Sequence, residues 1–126
     1  ITFYFHNMGN SFHSNLALDT VANPNYRKVL YTGKMQLVLM SLNPAEEIGL
    51  ETHDTHDQFF RIEQGQAKAI LDGLEVDLKE DEALIVAAGT LHNIINTGST
   101  ILKLYTIYAP AQHPAGTVQA VKPEND

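Results

Sequence analysis

The chain has 126 residues, with 15 acidic against 8 basic side chains for a formal charge of −7, six histidines, and neither cysteine nor tryptophan. That length fits one domain around a single core, and a composition 44% hydrophobic and 18% charged belongs to a globular chain rather than a disordered or collagen-like one. Missing cysteine excludes disulfide scaffolds, thiolate zinc sites and cysteine nucleophiles, so any metal falls to histidine, carboxylate or amide groups.

The few basic residues are scattered, which argues against nucleic acid as a partner. The longest apolar run, residues 83–88, is far short of the ~18 residues of a membrane helix. No membrane partner is expected, and a cysteine-free chain fits a reducing cytoplasm.

Residues 1–26 read as an N-terminal arm. Ile1-Thr2-Phe3-Tyr4-Phe5 is open to two readings, a native strand or, over residues 1–7, a leader ahead of a native start at Met8; a short helix is expected near residues 16–22. From residue 34 onward apolar side chains recur with period two and are broken every few residues by Gly, Pro, Asn or Asp, the pattern of many short strands. Strands are expected over residues 34–42, 48–53, 58–64 and 66–71. Asp72-Gly73 then reads as a two-residue hairpin turn, pairing Leu71 with Leu74, Ala69 with Val76 and Ala67 with Leu78, an apolar set on one face. Residues 84–87, 91–96 and 101–108 complete the series, and residues 116–126 read as a C-terminal tail. About eight short strands over residues 27–115 predict an all-β jelly roll or barrel with short terminal arms. Leu37, Leu39, Phe60, Ile62 and Ile94 are expected to line its core or cavity.

The chemistry concentrates in Glu51-Thr52-His53-Asp54-Thr55-His56-Asp57-Gln58. In a strand Glu51 and His53 share a face, about 6–7 Å apart, and can converge on one ion. Gln58 opens the next strand and can return beside them. His92, just after the Ala88-Gly89 turn, is the fourth candidate. Each has a plainer reading: Glu51 and His53 as a solvated edge pair, Gln58 as a structural hydrogen-bonding group, His92 as a hydrogen-bonded core histidine. His56 is held in reserve as the substitute for Gln58, and Asn96 is expected to satisfy backbone groups at a strand end. His6, His13 and His113 are expected at the surface, with His113 alternatively closing over the barrel mouth.

These residues resemble the cupins, whose motifs run G-x5-H-x-H-x4-E-x6-G and G-x5-P-x-G-x2-H-x3-N. Ala45, Glu51, His53, Gln58 and Gly65 fall at the first spacing, and Asp81, Ala87, Gly89, His92 and Asn96 at the second. Five of the ten differ in type: Ala45 and Asp81 replace glycine, Ala87 proline, Glu51 histidine and Gln58 glutamate. The flanking segments Gln58-Phe59-Phe60-Arg61-Ile62-Glu63 and His92-Asn93-Ile94-Ile95-Asn96 also look like small single-domain cupins. The resemblance implies a β-barrel that holds one divalent transition metal (Fe, Mn, Zn, Ni or Co) through Glu51, His53, His92 and Gln58. It further implies a homodimer formed through an exchanged N-terminal arm or a sheet face.

Two imidazoles and one carboxylate suit a site of the non-haem iron type as well as other divalent ions. The expected function is a metalloenzyme, dioxygenase-like or isomerase- or cyclase-like, acting on a small oxygenated substrate with Glu51 as base. The alternative is a non-catalytic small-molecule binder or sensor with a structural metal. Nucleophile-elbow, phosphate-loop and dinucleotide motifs are lacking.

Overall fold

The computed structural model describes residues 10–124, so residues 1–5, His6 and Met8 lie outside the described residues. Asn15 caps the single described helix, α1 (Leu16–Ala22), its side chain accepting from the Leu18 amide at 3.2 Å. Pro24 restricts the preceding Asn23 to the extended conformation (φ −71°, ψ 120°) in which the helix ends. Nine strands follow: β1 Arg27–Thr32, β2 Gln36–Leu42, β3 Asp57–Gln64, β4 Gln66–Leu71, β5 Leu74–Lys79, β6 Ala83–Val86, β7 His92–Asn96, β8 Leu102–Ala109 and β9 Val118–Gln119.

They form two antiparallel sheets, one of six strands in the order β6-β3-β8-β2-β1-β9 and one of three in the order β5-β4-β7. The inner faces meet over a core that includes Val38, Met40, Phe60, Ile62, Ile94 and Leu104. This is the expected jelly roll: non-sequential neighbours in the larger sheet arise where the chain crosses between layers.

The Asp72-Gly73 turn adopts positive φ at both residues (48° and 84°), the conformation a two-residue hairpin turn demands. The β4–β5 register pairs Leu71 with Leu74, Ala69 with Val76 and Ala67 with Leu78, as expected. Burial fades toward the turn, from fully enclosed Ala69 to Leu74 at 69% exposure, because the hairpin tip projects beyond the opposing sheet.

Several expectations are corrected. Leu37 and Leu39 are buried as expected, but outside the cluster between the two sheets. The inward residues of β2 are Val38, Met40 and Leu42, while Leu37 and Leu39 are buried on its other face. There α1 packs across β2, β3 and β8, and Leu37 borders a groove lined by Phe12, Leu16 and Met35. β1 carries no clear alternation because Arg27 is itself buried, its guanidinium bonded to Gln119 and 5.1 Å from the Tyr26 ring. The C-terminal tail contains a strand, β9, which adds to β1.

The degenerate glycine positions keep the backbone the motif requires. Ala45 (φ 69°) and Asp81 (φ 71°) adopt the left-handed conformation, as do Gly65 and Gly89. For alanine this costs about 1–2 kcal/mol, whereas glycine there gives up about 0.5–1 kcal/mol of chain entropy. Ala45→Gly is therefore expected to stabilise the fold by about 0.5–1 kcal/mol, read as a rise of a few degrees in the melting temperature of metal-free protein. Asp81→Gly should gain less, since Asp tolerates this region and Asp81 also pairs with Arg61 at 3.2 Å.

Candidate metal centre

Residues 45–51 run along the otherwise free edge of β7. Backbone bonds join Ala45 N–H to Asn96 O (3.1 Å), Asn96 N–H to Glu46 O (2.9 Å) and Ile48 N–H to Ile94 O (2.9 Å). The pairing then slips by one residue, because Glu47 lies opposite Ile95 whereas Glu51 lies opposite His92. The extra residue sits at Gly49, whose φ is 108°, so the expected strand over 48–53 is instead a bulged edge. The slip decides which side chains turn inward. Unbroken alternation from buried Ile48 would place Leu50 inside and Glu51 outside. Instead Leu50 is 65% exposed and Glu51 faces His92.

Glu51 and His92 exchange both backbone hydrogen bonds at 3.0 Å, and paired residues of an antiparallel ladder share a face. The Glu51 carboxylate Oε1 lies 3.3 Å from His53 Nε2 and 3.8 Å from His92 Nε2. One donor atom from each of the three residues lies within 4.8 Å of the others. Bonds of about 2.0–2.2 Å to a single ion suit such a cluster.

The His92 imidazole is held with Nε2 as its open acceptor. His92 Nδ1 lies 2.9 Å from Thr90 O, so Nδ1–H donates there and the lone pair of Nε2 is left facing Glu51 and His53. Nε2 of both His53 and His92 is buried with no hydrogen-bond partner among the described residues. The turn that carries His92 is pinned to the segment that carries His53: Gly89 N–H donates to His53 O and Ala88 N–H to Asp57 Oδ1, both at 2.9 Å. Asp57 gives no metal-like spacing in the sequence, and only this contact reveals its part.

Gln58 stands on the opposite wall. On β3 it lies opposite Tyr108 of β8, and the Tyr108 ring meets the His53 ring edge-on at 5.8 Å between centroids. Its Nε2 donates to Thr106 Oγ1 at 2.9 Å, which leaves Oε1 a buried acceptor without a partner. Thr106 was signalled only as the polar break in the inward series Leu102, Leu104, Thr106.

The remaining candidates are committed elsewhere. His56 is 5.6 Å from the His53 ring, but its Nε2–H faces Ala111 O and its Nδ1 faces Thr55 Oγ1, each at 3.1 Å. A neutral imidazole offers one donor and one acceptor, and both are used. Asn96 donates to Leu42 O and Thr100 O and accepts from Gly98 N–H, so it ties backbone groups together. His13 is exposed. His113 is half-buried, not a surface residue, and stacks edge-on against Tyr108 at 5.3 Å where the tail returns to the barrel mouth.

The two imidazoles and one carboxylate, with a neutral amide oxygen across from them, are a donor set that fits a divalent transition metal. No helix among the described residues is long and apolar enough to cross a membrane.

A cupin-domain family model matches residues 38–108, which span the candidate centre. YrkC of Bacillus subtilis (strain 168) is 47% identical over 118 residues, a match covering 88% of this chain and 63% of that protein. Protein L612 of Acanthamoeba polyphaga mimivirus is 46% identical over 117 residues, covering 88% of this chain and 72% of that one. The crystal structure of BH2720 from Bacillus halodurans superposes with a TM-score of 0.86 at 40% identity, over 90% of this chain and 92% of that one. With the two motif spacings folded into facing walls of one small jelly roll, the chain belongs to the cupin family.

Proposed function

We propose that this cupin is a metalloenzyme that holds one divalent transition metal through Glu51, His53 and His92, with the Gln58 amide oxygen as a fourth, neutral donor, and acts on a small oxygenated organic substrate. The observation that carries this reading is the convergence of two buried, unpartnered imidazole nitrogens on the Glu51 carboxylate. Burying unsatisfied acceptors costs about 1–3 kcal/mol each, and an ion shared between them offsets that cost.

When bound, such a metal supplies Lewis-acid polarisation of substrate oxygens, or redox chemistry toward dioxygen. The chain's own residues do the rest. Thr90 O fixes the His92 tautomer, and the Asp57-capped turn holds His92 against His53. Tyr108 and Phe60 wall the histidine rings and exclude water. Glu51, with its side chain about one-third exposed, is the group placed to hold or release a proton at the mouth. One carboxylate against a divalent ion leaves the centre with net positive charge, which suits an anionic or enolisable oxygen ligand.

The second reading is a non-catalytic binder with a structural metal. It is favoured by the barrel interior below the centre, where Val38, Phe60, Ile62 and Ile94 are fully enclosed against one another. Stability that falls on chelation, with no turnover by the metal-loaded protein, would favour this binder over the enzyme.

Metal analysis of protein purified without immobilised nickel is expected to give about one transition-metal ion per chain, reduced to background in His53→Ala and His92→Ala. Wild-type protein with no metal would overturn the proposal. The fourth position separates in the same assay: Gln58→Ala should weaken retention, whereas His56→Ala should keep its metal while losing its bonds to Thr55 and Ala111. The reverse pattern would make His56 the ligand.

A further inference from the structure

The bulge that turns Glu51 toward the histidines is held by one side chain. Asn93 is 4% exposed, and its Oδ1 accepts the Gly49 N–H at 2.8 Å while its Nδ2 donates to Glu47 Oε1 at 3.1 Å. A bulge leaves a backbone group outside the ladder, and here the orphaned donor is the Gly49 amide. Asn93 is the neighbour of His92, so the amide that secures the slip and the imidazole that meets Glu51 are carried by adjacent residues of β7. Glu47 stands on the other side of the bulge and orients the amide group, so its oxygen rather than its nitrogen meets Gly49. Without the Asn93 acceptor the regular register, with Leu50 inward and Glu51 turned away, becomes the competing arrangement.

We propose that Asn93 is the positioning residue that makes Glu51 a member of the metal centre, setting whether the site holds a carboxylate at all. The inference rests on the metal centre proposed above and adds that the oxygen character of the site is decided outside the ligands, at the Gly49–Asn93 contact. Asn93 touches neither ion nor substrate; it acts through Glu51.

The test is a double-mutant cycle read by cobalt(II) titration of the metal-free 126-residue chain, followed by visible absorption, with the melting temperature of each metal-free variant recorded alongside. Asn93→Ala is expected to weaken cobalt binding roughly ten- to hundredfold, the usual scale for an outer-shell residue, and to shift the cobalt spectrum in the same direction as Glu51→Ala. In the Glu51→Ala background, Asn93→Ala should cost nothing further. Asn93→Asp combined with Glu47→Gln keeps the acceptor toward Gly49, the amide–carboxylate pairing and its single negative charge, and is expected to bind cobalt as the wild type does. Glu47 is exposed, so Glu47→Ala carries the same cycle if Asn93→Ala fails to fold, with a loss of several-fold expected only while Glu51 is present. A folded Asn93→Ala protein with wild-type affinity, or a loss of equal size in the Glu51→Ala background, overturns the role of Asn93. Wild-type protein that binds no cobalt instead overturns the metal centre, and this inference with it.

Discussion

Parity governs the mouth of this barrel. Side chains of a strand alternate strictly between faces, so the three-residue step from Ile48 to Glu51 cannot bring both inward unless one residue is lost to a bulge. Gly49 supplies that residue, with its φ of 108° and its amide turned toward Asn93. Everything at the centre follows from the slip: Glu51 opposite His92, Leu50 out in solvent, and a carboxylate 3.3 Å from the His53 imidazole. A left-handed glycine meets no side-chain penalty, which is why the position tolerates the slip while its apolar neighbours could not.

The parts of the fold that were legible in the sequence are those where turn chemistry and apolar period agree. Asp72-Gly73 and the alternation on either side specify one register, and the β4–β5 hairpin adopts it. Legibility ends where one of those signals is silent. β2 is apolar on both faces because α1 covers one and the core the other, so period two cannot say that Val38 rather than Leu37 turns inward. β1 is hidden by a buried arginine, and β9 by its two-residue length. At the centre, motif spacing singled out Glu51, His53, Gln58 and His92, but not the bulge. A bulge is a register difference between two segments over forty residues apart, and no local pattern in either one encodes it. The supporting groups Thr90, Asp57 and Asn93 escaped for a related reason: each bond has a backbone atom on one side, the Thr90 carbonyl or the amides that the Asp57 and Asn93 side chains accept, and backbone atoms carry no sequence signature.

Substitution at the motif's glycine positions shows which part of a motif is physical constraint and which is habit. Ala45 and Asp81 hold the same left-handed backbone that Gly65 and Gly89 hold. The conformation is kept and its energetic cost is borne, because Ala45 N–H must still reach Asn96 O and Asp81 N–H must still reach Ile62 O. Those bonds close the connections that lead into and out of the strands carrying the candidate ligands, so the backbone geometry outranks the residue that most easily makes it.

The mouth layer also separates two glutamines that composition and burial leave indistinguishable. Gln36 and Gln58 flank Tyr108 in adjacent strands of one sheet, each fully buried. Gln36 is saturated: its Nε2 donates to Thr32 Oγ1 and His113 O, and its Oε1 accepts from the amides of Gln112 and His113. It latches the returning tail and has no capacity left. The Gln58 side chain makes one bond among the described residues, to Thr106, and its amide oxygen is left without a partner. In a layer where the fold satisfies one amide with four bonds, its neighbour keeps a buried acceptor without a partner, and that difference is what supports Gln58 rather than Gln36 as the fourth donor of the proposed centre. The same unpaired acceptors that are costly to bury are the ones the proposed metal would satisfy.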